Sequence, residues 1–127
     1  MGLQSTKNNL KIIEDMLYHC NRIQSDLMKV GNDKGKYLDD ETVQGSISFS
    51  LIQLGESAKR VPVELKDRYR DVKWKGTAGL RDVIAHGYDT ISLDELWDII
   101  INDIPILRKS LIRIVSELIE NEGVTPL

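Results

Sequence analysis

The stretch "SLDELWDIIINDIPILRKSLIRIVSEL", residues Ser92 to Leu118, decides the fold class of this chain. Its apolar residues recur every three or four positions, which is the spacing of one face of an α-helix. They are Leu93, Leu96, Trp97, Ile100, Ile104, Leu107, Leu111, Ile114 and Leu118. Ser92 and Glu95 form an S-x-x-E capping box, which predicts that the helix begins there. Pro105 has no backbone N–H, so we expect a kink inside this helix.

The same helical period extends toward the N-terminus. A first helix is predicted over residues from about 5 to 30, with the apolar stripe Leu10, Ile13, Leu17, Cys20 and Leu27. "GNDKGK", Gly31 to Lys36, is polar and contains two glycines, which predicts a loop. A second helix follows, capped by Asp39 or Asp40 and ending before Pro62. Its stripe is Val43, Ile47, Leu51, Leu54 and Ala58.

The middle of the chain predicts two more helices. Pro62 is placed to open a short one, "PVELKDRY", and Trp74 is expected to anchor the next connection in the core. A further helix is predicted from about Lys75 to His86, with Gly87 at the left-handed position that often follows a helix. The sequence thus predicts an all-α fold, an antiparallel bundle of four main helices plus a short helix, as a single domain over residues 1–127.

Composition and charge exclude several classes of protein. The net charge of −3 over 127 residues argues against a dedicated binder of duplex DNA. With Cys20 as its one cysteine, the chain can form neither an internal disulfide nor a cysteine-pair zinc site, which fits a reducing cytoplasm. The N-terminus has no basic region followed by a long apolar run, so no signal peptide is predicted. No apolar run approaches about 18 residues, so we expect no membrane partner.

The candidate site lies in "LRDVIAHGYD", Leu80 to Asp89. Arg81 and His86 are five residues apart, which places them about 140° apart around a helix. One helix therefore frames a site poorly, whereas two copies packed about a two-fold axis would form one cleft with two arginines and two histidines.

These residue types suit cleavage of a phosphodiester bond in RNA. A guanidinium keeps its charge near neutral pH and stabilises charge that develops on phosphate. An imidazole accepts a proton from a ribose 2′-hydroxyl or donates one to the leaving oxygen. Because RNA supplies the nucleophile, the chemistry requires no metal and no cofactor. DNA lacks the 2′-hydroxyl and is not expected to be a substrate.

Together with Tyr88, these residues carry a family resemblance. Arg81, His86 and Tyr88 reproduce the R-x4-H-x-Y motif of the HEPN superfamily, and the sequence resembles its HepT-like toxin branch. The segment "LIQLGESAKRV" resembles the second helix of that branch, with its Gly-Glu pair at Gly55 and Glu56. Tryptophans stand where the branch often has them, at positions 74 and 97. The resemblance extends over residues from about 8 to 118.

The resemblance implies a fold, an activity and a partner. Such proteins are all-helical homodimers with the two motifs facing each other, and they are metal-independent ribonuclease toxins. Their toxin–antitoxin systems are classed as type II, or type VII in newer schemes. The partner is a minimal nucleotidyltransferase antitoxin, which transfers AMP from ATP onto the motif tyrosine. By this resemblance Arg81 and His86 are catalytic and Tyr88 is modified. Asp82 stands where relatives often have asparagine; pairing with Arg81 would weaken the hold of that arginine on phosphate.

Each of these residues also has a purely structural interpretation. Arg81 would then be a surface cation paired with Asp82 or Asp89. His86 would interact with the negative end of the helix dipole, and Tyr88 would be a half-buried anchor. Glu56 is either part of a solvated helix face or a supporting residue that orients Arg81.

Two further features leave alternatives open. Basic residues cluster before the motif, at Lys59, Arg60, Lys66, Arg68, Arg70, Lys73 and Lys75. They form either a solvated surface or a patch that holds RNA. For the whole protein, the alternative to a ribonuclease is a non-enzymatic helical module that binds and regulates a nucleotidyltransferase. Both functions need the same helices, but only the enzyme needs Arg81 and His86.

Overall fold

The computed structural model describes residues 3–86 and 91–122. Within these residues, seven α-helices follow in chain order: α1 Leu3–Lys29, α2 Lys34–Leu38, α3 Glu41–Lys59, α4 Val63–Arg68, α5 Trp74–Ala85, α6 Leu93–Asp98 and α7 Ile104–Glu122. A π-helical segment, Ile99–Asp103, joins α6 to α7 without a break. The described residues contain no strand, so the predicted all-α fold is confirmed.

The long helices pack around one apolar core. α1 contacts α3 and α7, and α3 contacts α5. The predicted stripes supply most of the core, and Ile13, Leu51 and Leu111 have no exposed surface at all. α1 and α3 are antiparallel, because Asp26 accepts a hydrogen bond from Ser46 at 2.6 Å while Asp15 lies beside Arg60 at the far end of α3. The helices of the bundle therefore bury the apolar faces that the sequence periodicity predicted.

The predicted loop between the first two long helices is wrong in its second half. Lys34–Leu38 forms the short helix α2, capped by Asp33, whose carboxylate accepts from the backbone N–H of Lys36 at 2.9 Å. The side chain of Gln44 donates to the carbonyls of Tyr37 and Leu38 and so satisfies the end of α2. A helix of five residues is too short to show an apolar period, which explains why the sequence did not reveal it.

The ends of α3, α4 and α5 are close to those expected. Asp40 caps α3 by accepting from the backbone N–H of Val43 at 3.0 Å. Pro62 is the N-cap of α4. Trp74 is buried, and its indole N–H donates to the carbonyl of Tyr69 at 2.9 Å, so it anchors the start of α5 in the core.

The helix around Pro105 is irregular in a different way from a simple kink. The capping box of Ser92 and Glu95 is present as predicted. The irregularity is the π-helical segment, in which the N–H of Ile104 donates to the carbonyl of Ile99. This segment ends two residues before Pro105, where the chain lacks a backbone donor. The stripe nevertheless continues through it, because Ile100 and Ile104 are both buried.

The two neighbours Cys20 and His19 differ in burial. Cys20 is buried, as its place in the predicted apolar stripe implies, and burial raises the pKa of its thiol to about 12, so it is not a reactive thiolate. His19 is half-buried, and burial lowers its pKa. Among the described residues, no helix is both long and apolar enough to cross a membrane.

Candidate functional site

The candidate site is built where α3 and α5 pack against each other. A Cβ placed on Gly55 would lie 2.8 Å from the backbone nitrogen of Arg81, 3.1 Å from its Cβ and 3.2 Å from the carbonyl oxygen of Ala78. Because backbone atoms cannot move aside easily, only glycine permits this contact. Gly55 thereby sets the distance between Arg81 and the side chains of α3.

Two carboxylates hold the Arg81 side chain. Its Nε lies 2.8 Å from Oε1 of Glu56, and its Nη1 lies 3.2 Å from Oδ1 of Asp82. The arginine side chain remains 43% exposed, so its guanidinium is oriented but accessible to solvent. A guanidinium has five N–H donors, and these two contacts leave others for a ligand.

Lys59 adds a second cation to the same carboxylate. Its Nζ lies 3.2 Å from Oδ1 of Asp82, the oxygen that Arg81 also contacts. The hydrogen bond from Lys59 is the main cause that lowers the pKa of Asp82 below its usual value, and the hydrogen bond from Arg81 adds to it. Glu56, Arg81, Asp82 and Lys59 thus alternate in charge, and we call them the charge quartet.

His86 lies at the end of α5, one helical turn after Asp82 of the quartet. It is the C-cap residue, its backbone N–H donates to the carbonyl of Asp82 at 3.2 Å, and its side chain is exposed. Within residues 3–86 and 91–122 the imidazole makes no hydrogen bond or ion pair with the quartet. Gly87, Tyr88 and Asp89 lie outside the described residues, as do the interpretations that rest on them.

Three of the basic residues before the motif form ion pairs: Lys59 with Asp82, Arg60 with Asp15 at 3.8 Å, and Arg70 with Asp67 at 3.6 Å. Four members of the basic cluster line a wide, open depression of about 590 Å³. Its basic lining residues are Lys66, Arg70, Lys73 and Lys75. This depression carries a positive surplus, although the whole chain is acidic.

An apolar groove borders this depression and shares Val72, Lys73 and Gly76 with it. It has a volume of about 260 Å³ and lies between α5, the π-helical segment and α7. Leu80, Ile99 and Leu107 line it, and the side chain of Ile106 at its edge is 68% exposed. Among the described residues, no group of histidine, cysteine, aspartate or glutamate side chains is arranged to hold a metal ion.

Sequence reasoning missed two parts of this site. Gly55 was noticed only as half of a Gly-Glu pair, and its role in the approach of the helices depends on what lies opposite it. Lys59 was noticed only within the basic cluster. The sequence did contain a signal for the quartet. Glu56 and Lys59 are three residues apart and therefore share a face of α3, and the consecutive residues Arg81 and Asp82 carry the charges opposite to theirs.

Comparison with known proteins places the chain in a family. The profile of the family described as Ribonuclease HepT-like matches residues 7–114. That range includes α3, α5 and the whole charge quartet. The chain belongs to the Ribonuclease HepT-like family.

Curated relatives agree with this family. "Putative RNase MJ0127" of Methanocaldococcus jannaschii is 32% identical over 110 residues, which cover 85% of this chain and 91% of that protein. "Gamma-glutamylcyclotransferase and putative RNase MJ0434" of the same organism is 32% identical over 87 residues, 68% of this chain but only 39% of that longer protein. "Probable ribonuclease HepT" of Thermococcus cleftensis is 29% identical over 72 residues, 57% of this chain and 66% of that protein. No solved structure matches.

Proposed function

We propose that this protein is a metal-independent RNA endonuclease in which Arg81 and His86 are catalytic. The observation that carries the proposal is an oriented, accessible guanidinium, held by Glu56 and Asp82, in a chain of the Ribonuclease HepT-like family. The exposed imidazole of His86 ends the same helix. This pairing of a fixed cation with a titratable base suits cleavage of RNA.

The reaction follows from the residue types. The 2′-oxygen of a ribose attacks the adjacent phosphorus while His86 accepts the 2′-proton. The bond from phosphorus to the 5′-oxygen breaks, that oxygen takes up a proton, and a 2′,3′-cyclic phosphate remains. Arg81 stabilises the negative charge on the non-bridging oxygens. Glu56 and Asp82 support Arg81 by fixing its orientation before substrate arrives.

The active form is proposed to be a homodimer. In one protomer, among the described residues, the imidazole of His86 makes no hydrogen bond or ion pair with the charge quartet, and two facing copies would supply two of each group to one cleft. The apolar groove beside α5, with the exposed Ile106 at its edge, supports an interface near the site.

The biological role is proposed to be that of a toxin in the cytoplasm. The partner is a minimal nucleotidyltransferase antitoxin that transfers AMP from ATP onto Tyr88. A phosphate added at Tyr88 would compete with the phosphate of RNA for Arg81, and the adenosine would block the cleft. Under the alternative, a non-enzymatic module that binds a nucleotidyltransferase, Arg81 and His86 would be dispensable.

The test uses two site variants and a matched control. Arg81→Ala and His86→Ala should each abolish RNA cleavage by the purified protein, because each removes one catalytic group. Arg22→Ala changes a fully exposed arginine on α1 and should cleave like wild type. Circular dichroism should show the same helical content in all four proteins. Full cleavage by either site variant, or no cleavage by wild type, would contradict the proposal.

A further inference from the structure

Lys59 and Arg81 present two cations to one point in space. The Nζ of Lys59 and the Nη1 of Arg81 each lie 3.2 Å from the same carboxylate oxygen, Oδ1 of Asp82. The two side chains come from different helices, and Gly55 holds those helices in contact immediately beside them. The separation of the two cations is therefore set by the bundle and not by a flexible loop.

Both cations remain open to solvent. The side chain of Lys59 is 40% exposed and that of Arg81 is 43% exposed. Arg81 has a second carboxylate partner, Glu56, whereas Asp82 is the one ion-pair partner of Lys59 within the described residues. Exposed ion pairs of this kind contribute little to stability, so their exchange for another anion costs little.

We propose that Lys59 is a phosphate-binding residue of this site, and that it and Arg81 together bind one phosphate of the RNA. Asp82 occupies the two cations in the free protein and gives up its contacts when RNA binds. A phosphodiester resembles a carboxylate in this respect: its two non-bridging oxygens share one negative charge and accept hydrogen bonds from lysine and arginine. The inference rests on the proposed ribonuclease function and adds a residue to its site.

No other residue of the basic cluster has this geometry in the described part of the chain. Arg60 lies one position further along but turns to Asp15 of α1. Arg70 pairs with Asp67 beside it, and it lines the open depression with Lys73 and Lys75. Within the described residues, Lys59 is the member of the basic cluster that pairs with Asp82.

The test measures RNA binding separately from RNA cleavage. His86→Ala serves as the background, so that a fluorescent single-stranded RNA remains intact during titration. Adding Lys59→Ala should weaken binding about tenfold or more, as expected for one charge-assisted hydrogen bond. It should also reduce the slope of log K against log salt by about 0.7, the value for one phosphate contact on a single strand. Lys59→Gln serves as a second neutral variant, and Lys59→Arg should restore most of the binding.

Two further variants distinguish a phosphate contact by Lys59 from a purely structural role of this residue. Lys29→Ala is the control. It removes a lysine of α1 that pairs with Asp26 at 3.0 Å, close to the opposite end of α3 from Lys59. It should change neither the affinity for RNA nor the salt slope. Asp82→Asn frees both cations and should tighten binding several-fold. In the cleaving protein, Lys59→Ala should raise KM more than it lowers kcat.

The outcomes separate this inference from the function on which it rests. Suppose that wild type cleaves RNA and Arg81→Ala does not. If the Lys59→Ala/His86→Ala protein then binds RNA as tightly as His86→Ala and with the same salt slope, Lys59 has only a structural role and the inference is wrong. Weaker binding by Asp82→Asn would likewise overturn it. If wild type fails to cleave RNA at all, the proposed function itself is wrong.

Discussion

At the scale of single residues, the site depends on how Arg81 is held. A free arginine side chain loses much rotational freedom when it binds phosphate, and a positioned one has lost that freedom already. Glu56 and Asp82 fix two of its N–H groups at 2.8 and 3.2 Å while the side chain stays partly exposed. The same two carboxylates also compete with phosphate for the arginine. The two carboxylates therefore orient the guanidinium of Arg81 but lower its affinity for phosphate.

Tyr88 is the residue at which regulation is predicted to act. Tyr88→Phe keeps the aromatic ring but removes the oxygen that would accept AMP. The variant should cleave RNA like wild type and should gain no mass when incubated with the nucleotidyltransferase and ATP. Wild type should gain one or more AMP units under the same conditions, as measured by intact mass spectrometry. Equal labelling of the two proteins would show that Tyr88 is not the acceptor.

At the scale of elements, the approach of α3 to α5 assembles the quartet. Two of its members come from α3 and two from α5, so its distances depend on the separation of these helices. Gly55 fixes that separation, since a side chain at this position would meet the backbone of Arg81. A change at Gly55 should therefore affect stability and chemistry together.

Two glycines of α3 offer a matched comparison. Gly55→Ala should destabilise the protein by about 1–3 kcal/mol, the usual cost of overpacking, and should lower RNA cleavage because α5 must move. Gly45→Ala lies on the same helix, where an added Cβ meets nothing within 4 Å. It should be neutral or stabilising by up to about 1 kcal/mol, since alanine favours a helix. Urea unfolding measures both, and equal effects of the two substitutions would contradict this role of Gly55.

The sequence predicted those elements whose signal lies in long apolar periods. Leu111, Ile114 and Leu118 recur at helical spacing and are fully buried, as are Leu51 and Leu54. The caps at Asp40 and Ser92 were also predictable, because capping depends on local residue type. The helix α2 was missed, since it has one buried residue and no period to detect.

The site was predictable in part for a related reason. Arg81 and His86 were found from spacing and resemblance, which are properties of the sequence. The contact of Lys59 with Asp82 depends on packing between α3 and α5. Nothing within either local segment determines this contact, so it required the structure. Whether Arg81 and His86 are catalytic stays a prediction that the variants above test.

At the scale of the whole molecule, the proposed site needs a second copy. Sedimentation at micromolar concentration should give twice the chain mass of 14.4 kDa. The reason is that, among the described residues of one protomer, the imidazole of His86 makes no hydrogen bond or ion pair with the quartet, and an apolar groove is lined by Gly76, Thr77 and Leu80 of α5. A protein that sediments as a strict monomer and still cleaves RNA would contradict the homodimer.

The most direct test of the central claim is RNA cleavage in the presence of EDTA. Purified protein is incubated with a single-stranded RNA, with the same oligomer made as DNA, and with an RNA carrying one 2′-deoxyribose at the mapped cleavage position. Because the 2′-hydroxyl is the proposed nucleophile, only the unmodified RNA should be cleaved at that position. The products should carry 2′,3′-cyclic phosphate ends, and EDTA should not reduce the rate of cleavage. Cleavage of the DNA or of the 2′-deoxy position, or loss of activity in EDTA that magnesium restores, would contradict it.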